Sequence, residues 1–174
     1  IINGGNLNLA TSAVINWDRW PSDLGINEDR VLQKDLTIGG TLYLNGGTLD
    51  LKGKNLIVLG DLIQAEGMLY INGGQLNISG DYRLQRESIV EGSKKYNYSS
   101  GQLRMINVAD YVLVGGSFVT QSSYSHSGYL TAGILEVKGD FEQKYYGYNF
   151  YATGTHKTIL SGPGLQRVTF EKTE

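Results

Sequence analysis

Between Leu36 and Leu84 the chain repeats itself every 20 residues, at glycines and at apolar positions alike. Gly40, Gly60 and Gly80 recur at that interval, as do Leu36, Leu56 and Leu76, and Ile38, Val58 and Ile78. A period this short, held by both turn and core residues, marks a stacked repeat architecture. The unit is an apolar–x–apolar triplet, as in Leu36-Thr37-Ile38, Leu42-Tyr43-Leu44 and Leu49-Asp50-Leu51, which reads as a short strand with alternating faces. Successive triplets begin 6 or 7 residues apart, too close for intervening helices, so three of them complete one repeat. The spacing predicts an all-β, three-faced solenoid, a single parallel β-helix with coils of about 20–23 residues.

The three faces can be followed along the chain. Face A carries the triplets at 36, 56 and 76, face B those at Leu42, Leu62 and Tyr82, and face C those at Leu49 and Leu69. The register then continues at an offset of 23, with Val112-Leu113-Val114 and Phe118 matching Leu135-Glu136-Val137 and Phe141. This places face A at 112–114, 135–137 and 158–160, face B at 118–120 and 141–143, and face C at Leu103–Met105, Leu130 and 150–152. Val168-Thr169-Phe170 closes the series. The expected organisation is one domain over 1–174, with an N-terminal coil and capping segment (1–35), regular coils (36–84) and coils with long corner insertions (85–174). Near the start, Asn3–Leu9 mimics Asn45–Leu51 and is expected on face C, whereas 16–30 fits no triplet and reads as a loop or short helix over the open end.

The extra residues of the later coils fall between faces B and C, at about 85–102, 121–128 and 143–149. Insertions at one corner of stacked coils project from one edge, side by side.

Composition agrees with such a fold and narrows its roles. The chain has 24 glycines for tight corners but only two prolines, since proline would remove ladder donors from doubly paired strands. With no cysteine, neither a disulfide framework nor a Cys-based zinc site is available. The net charge of −2 lacks the basic stripe that phosphate backbones demand, which argues against a nucleic-acid partner. No apolar run approaches the about 18 residues of a membrane span. Ile1-Ile2-Asn3 does not read as the start of an open reading frame, so the chain is expected to be a module of a longer protein.

The run Gly40–Leu51, the Gly-x-Phe steps at 116–118 and 139–141, and the tail Ala152–Lys157 with Ser161-Gly162 and Gln166–Phe170 resemble β-helix modules of large secreted or cell-surface proteins of Gram-positive bacteria. The resemblance implies a right-handed parallel β-helix, an extracellular location and neighbouring domains in the same polypeptide. It brings no catalytic residues with it.

Most of the 12 tyrosines lie in the B–C insertions. Tyr96 and Tyr98, then Tyr124, His126 and Tyr129, then Tyr145, Tyr146, Tyr148 and Tyr151 form the candidate ligand-binding set. A tyrosine offers a flat apolar face and a hydroxyl, which suits stacking on a pyranose ring while hydrogen-bonding its edge. The alternative is that the rings pack the long corners onto the coils. Asp61, Asp81 and Asp140 each follow a glycine at equivalent corners and are read as caps of backbone amides rather than as a calcium column, because the Gly-rich calcium-binding nonapeptide is missing. The two histidines, His126 and His156, lie on different corners, so no shared metal and no cofactor is expected. Neither Glu136 and Lys138 on face A nor Arg83 and Arg104 on faces B and C assemble a catalytic cluster. The expectation is a non-catalytic extracellular module that binds a polysaccharide or cell-surface glycan through its tyrosine-rich edge. The alternatives are a structural spacer of a surface protein and an accessory domain of a polysaccharide-degrading enzyme.

Overall fold

The computed structural model describes residues 18–172, together with the backbone of the strand Leu7–Asn8. Among the described residues the chain is all-β apart from one turn of 3-10 helix at Gly147–Asn149. Its early strands are β1 (Leu7–Asn8), β2 (Arg19–Trp20), β3 (Leu24–Ile26), β4 (Arg30–Val31), β5 (Leu36–Ile38), β6 (Leu42–Asp50), β7 (Asn55–Val58), β8 (Leu62–Tyr70), β9 (Gln75–Ile78) and β10 (Tyr82–Leu84). They continue as β11 (Arg86–Val90), β12 (Ser93–Asn97), β13 (Gln102–Arg104), β14 (Tyr111–Val114), β15 (Phe118–Thr120), β16 (Ile134–Val137), β17 (Phe141–Gln143), β18 (Lys157–Leu160) and β19 (Val168–Phe170).

Two long parallel sheets take nearly all of these, an arrangement compatible with a parallel β-helix. Face A is a seven-stranded sheet in the order β18-β16-β14-β9-β7-β5-β2. Its register is the predicted one: Leu36 pairs with Leu56, Leu56 with Leu76, Leu76 with Val112, Val112 with Leu135 and Leu135 with Thr158. Faces B and C belong to one ten-stranded sheet, because β6 and β8 run through the corner between them with a register shift on either side of Asn45. On face C the ladder thins after β13 to single bridges, Met105 to Leu130 and Leu130 to Ala152.

Alternation explains why these triplets pair. The first and third residue of each point inward and are almost wholly buried, and together they form one continuous core from Trp20 to Phe141. Face B adds an aromatic column: Tyr82 meets Phe118 edge-on at 5.2 Å, and Phe118 stacks on Phe141 at 5.4 Å. The burial stops at the last pass, where Leu160, Val168 and Phe170 stand in register over Val137, Phe141 and Gln143 yet are 39%, 47% and 51% exposed.

Corner aspartates connect one pass to the next. Asp61 Oδ1 accepts the Asp81 amide at 2.8 Å, Asp81 Oδ1 accepts that of Ser117 at 2.8 Å, and Asp140 Oδ1 accepts that of Arg167 at 2.8 Å. Asp23 does the same for Thr41 at 2.7 Å. The carboxylates cap backbone donors of the following pass, as their Gly-Asp setting predicts.

Two N-terminal expectations are corrected. Residues 18–32 form neither a helix nor a loose cap but a further pass: Trp20 pairs with Ile38, Leu24 with Leu42, Ile26 with Leu44 and Arg30 with Leu49. The offset there shrinks to 18 or 19 and the inward positions include Trp20 and the buried Arg30, so the one apolar triplet of the pass, Leu24-Gly25-Ile26, stands outside the 20-residue period. Leu7 pairs with Leu24 and therefore lies on face B, not face C, since apolar triplets are interchangeable between faces and a local match does not set the face. The remainder of 1–17 lies outside the described residues.

Gly67 shows how closely the passes approach. It has φ +75°, and a Cβ there would run into the Gly47 carbonyl oxygen and lie 2.8 Å from the Gly46 carbonyl carbon. Gly53 has φ +74° but faces open space. Gly53→Ala should therefore cost about 1 kcal/mol from the left-handed backbone alone, whereas Gly67→Ala should cost at least about 3 kcal/mol because two backbones must separate. Urea midpoints of the two variants check the ordering; equal losses would contradict the stacked-corner geometry.

Candidate functional site

At the corner between faces B and C the inward columns turn polar. Gln64, Ser99, Ser122 and Asn149 are buried there, and each supplies hydrogen bonds that the irregular corner backbone lacks. Gln64 Nε2 donates to the carbonyls of Gly67 and Gln102, both at 3.0 Å, while its Oε1 accepts the Tyr82 hydroxyl at 2.6 Å. Ser99 Oγ donates to the Leu84 carbonyl at 3.0 Å, Ser122 Oγ to that of Gly101 at 2.7 Å, and Asn149 Nδ2 to those of Ser122 at 3.0 Å and Lys144 at 2.6 Å. Backbone bonds complete the stack, from the Ser123 amide to the Ser99 carbonyl at 2.8 Å and from the His126 amide to the Tyr148 carbonyl at 2.9 Å. The three insertions thus lie against one another along one edge.

The first insertion holds a feature that the triplet pattern hides. β11 and β12 form an antiparallel hairpin closed by Glu91-Gly92, both with positive φ (51° and 75°), the backbone of a type I′ turn. Glu-Gly is a weaker signal than Asn-Gly, and the exposed Ile89 and Val90 before it do not alternate with polar residues.

The nine candidate residues divide into two groups. Tyr98, Tyr124, Tyr145, Tyr146, Tyr148 and Tyr151 are between 38% and 60% exposed. Tyr98 of the first insertion and Tyr145 of the third stack with ring centroids 5.7 Å apart and 18° between planes. A separate trio, Tyr146 to Tyr148 and Tyr148 to Tyr151, packs as tilted neighbours at 5.5 and 5.3 Å. Ser123, Ser125, Tyr145, Tyr146 and Lys172 line an open cleft of about 370 Å³ beside them. Tyr145 itself has φ 75° and sits at the centre of a γ-turn in which the Tyr146 amide donates to the Lys144 carbonyl at 2.9 Å. Such a turn is strained for a bulky residue.

The other three are held against neighbouring groups. Tyr96 donates its hydroxyl to Glu87 at 3.1 Å and lies under the Arg83 guanidinium at 4.6 Å. Arg104 lies over the rings of Tyr70 at 4.5 Å and Tyr129 at 5.8 Å. His126 is 1% exposed, so it is not a surface contact: its Nε2 accepts the Leu103 amide at 2.9 Å, which assigns the ring proton to Nδ1. Among the described residues no group of three or more His, Asp or Glu side chains gathers as a metal site. On face A, Glu136 accepts from Tyr111, Ser161 and Lys138 at 2.6, 2.6 and 2.7 Å. Those bonds, Lys138 first, hold its carboxyl down at about 2, while the same contact pushes the Tyr111 hydroxyl up to about 12. No family model, curated protein or solved structure matches the chain.

Burial lowers His126 to about 4, opposed only in part by the Tyr124 carbonyl. The unfolded chain therefore takes up a proton there near pH 6.5 that the folded chain refuses until about pH 4. Stability contributed by the neutral ring is complete above pH 6.5 and is lost as the pH falls through this window, by roughly 3 kcal/mol at pH 4. Urea unfolding of wild type and His126→Gln at pH 7 and pH 4 checks this; the variant should lose less on acidification by about that amount.

Proposed function

We propose that the chain is a non-catalytic module of a right-handed, three-sided parallel β-helix that works outside the cell and binds a polysaccharide through its tyrosine edge. The handedness follows from the right-handed crossovers that parallel strands adopt, and the three sides from strands that recur in register about every 20 residues around one core. The extracellular setting rests on the resemblance of the Gly40–Leu51 run and the C-terminal tail to bacterial surface modules.

The observation that carries the binding reading is the set of exposed tyrosines that three successive insertions bring to one edge, the stacked pair Tyr98–Tyr145 and the trio Tyr146, Tyr148 and Tyr151 among them. The rings pack on one another as stacked or tilted neighbours at 5.3 to 5.7 Å, which leaves their outer faces and edges for a sugar ring, its apolar face against an outer tyrosine face and its hydroxyls toward phenol groups and Ser123 or Ser125. The strained backbone at Tyr145 supports the same reading, since glycine would adopt that φ at no cost and only the ring justifies tyrosine. Tyr96 and Tyr129, each against an arginine, favour the spacer alternative for their part of the edge.

Binding to an array of plant and bacterial polysaccharides tests the proposal. Wild type should bind at least one, and combined Tyr145→Ala, Tyr146→Ala and Tyr148→Ala should weaken it at least about tenfold; no binding by wild type leaves the spacer. Tyr145→Gly separates strain from recognition: its urea midpoint should not fall, while its polysaccharide affinity should.

A further inference from the structure

A second surface, away from the exposed tyrosines, has the features of a built site. The β11–β12 hairpin folds back against the outer side of face B, where Gly25, Tyr43, Ile63 and Arg83 follow one another in register. Ile63 points outward from its strand and yet is 1% exposed, and Ala65 is 3% exposed. Between hairpin and sheet lies a cleft of about 340 Å³ lined by Gly25, Tyr43, Asn45, Ile63, Arg86 and Glu87, with Ala65 at its base. Its size is at the lower end of small-ligand sites.

The cations around it are matched in pairs, and the Asp23 and Asp61 carboxylates, which cap backbone amides, add negative charge near Tyr43. Arg86 meets Glu66 at 2.6 Å, Arg83 meets Asp81 at 2.6 Å, and Lys94 meets Glu87 at 3.0 Å. The Glu87 side chain is only 12% exposed, and Tyr96 adds a second donor to it. An anionic ligand would need a cation without a partner and would meet Glu66 and Glu87. A divalent cation would need several converging carboxylates and would meet Arg86 and Lys94. A neutral polyol is under neither penalty. Its hydroxyls both donate and accept, so one can donate to the Glu87 carboxylate while another accepts from Asn45 or Arg86. Tyr43 supplies the aromatic surface, and Gly25 places no side chain beside it. Burial, and after it the charge of Glu87, raises the Tyr43 hydroxyl above its ordinary value.

We propose that this cleft binds one residue of a neutral carbohydrate, as a site separate from the tyrosine edge. It shares a ligand class with the function proposed above but not its residues, so either can fail alone. The test follows backbone amide resonances of the isotope-labelled full chain during titration with methyl glycosides of glucose, galactose, mannose and N-acetylglucosamine, to about 50 mM, a range that captures millimolar affinity. At least one glycoside should give saturable shifts at Tyr43, Ile63 and Glu87. Glu87→Gln and Tyr43→Ala should each raise its Kd at least about tenfold, and Tyr145→Ala with Tyr148→Ala should leave those shifts unchanged. If no glycoside shifts the cleft amides, or if Glu87→Gln with a wild-type-like spectrum binds as wild type does, the proposal is overturned whatever the edge variants do.

Discussion

Parallel pairing one pass apart is the constraint from which the other features descend. Once Leu36, Leu56, Leu76, Val112 and Leu135 are hydrogen-bonded in sequence, each inward side chain must rest on its counterpart, so a column accepts only residues that stack. The same geometry brings corner backbones to van der Waals contact, which is why Gly67 admits no side chain. It also leaves corner amides facing the pass before them, and aspartates such as Asp61 and Asp81 satisfy those donors. Apolar columns, bare corners and carboxylate caps are three consequences of one register.

That register also restricts where the chain can grow. An insertion inside a strand would displace every column beyond it, whereas one at a corner leaves both flanking strands in place. β10, β15 and β17 remain in register although the segments that follow them differ in length and conformation. The cost falls on corner backbone groups withdrawn from the ladder, and the buried Gln64, Ser99, Ser122 and Asn149 meet it with side-chain hydrogen bonds. The edge that displays the tyrosines is therefore fastened from beneath by a polar counterpart of the apolar columns.

What could be read from the residues alone follows the same division. From Leu36 onward, where glycine and apolar residues repeat at a steady offset, strand, face and partner are legible, and Gly-Asp at a corner is enough to assign the caps, whereas the single match at Asn3–Leu9 did not fix the face of Leu7. The pass at 18–32 was not legible, because Trp20 and Arg30 occupy inward positions and the offset contracts to 18 or 19, which takes its one apolar triplet, Leu24-Gly25-Ile26, out of the period. The hairpin was missed because its Glu-Gly turn is ambiguous until its strands have paired. At the candidate site the clustering of tyrosines at one edge was legible from the insertion points. Which rings face solvent was not, since that depends on partners such as Arg83 for Tyr96 and Arg104 for Tyr129 that lie on other strands. His126 belongs with the corner stack because it accepts the Leu103 amide, a relation no local motif encodes.

The division among the tyrosines bears on why they are there. If the aromatic content served only to pin long corners down, the rings would be expected to do as Tyr96 and Tyr129 do, covering apolar surface and lying against a cation. Tyr98, Tyr145, Tyr146, Tyr148 and Tyr151 instead pair ring to ring, as Tyr98 with Tyr145 and as the trio Tyr146, Tyr148 and Tyr151, and keep 38% to 60% of their area in water. Tyr145 does so on a backbone that tyrosine disfavours. Corner packing accounts for Tyr96 and Tyr129 and leaves the others unexplained, whereas a ligand with apolar faces would account for both the exposure and the strain.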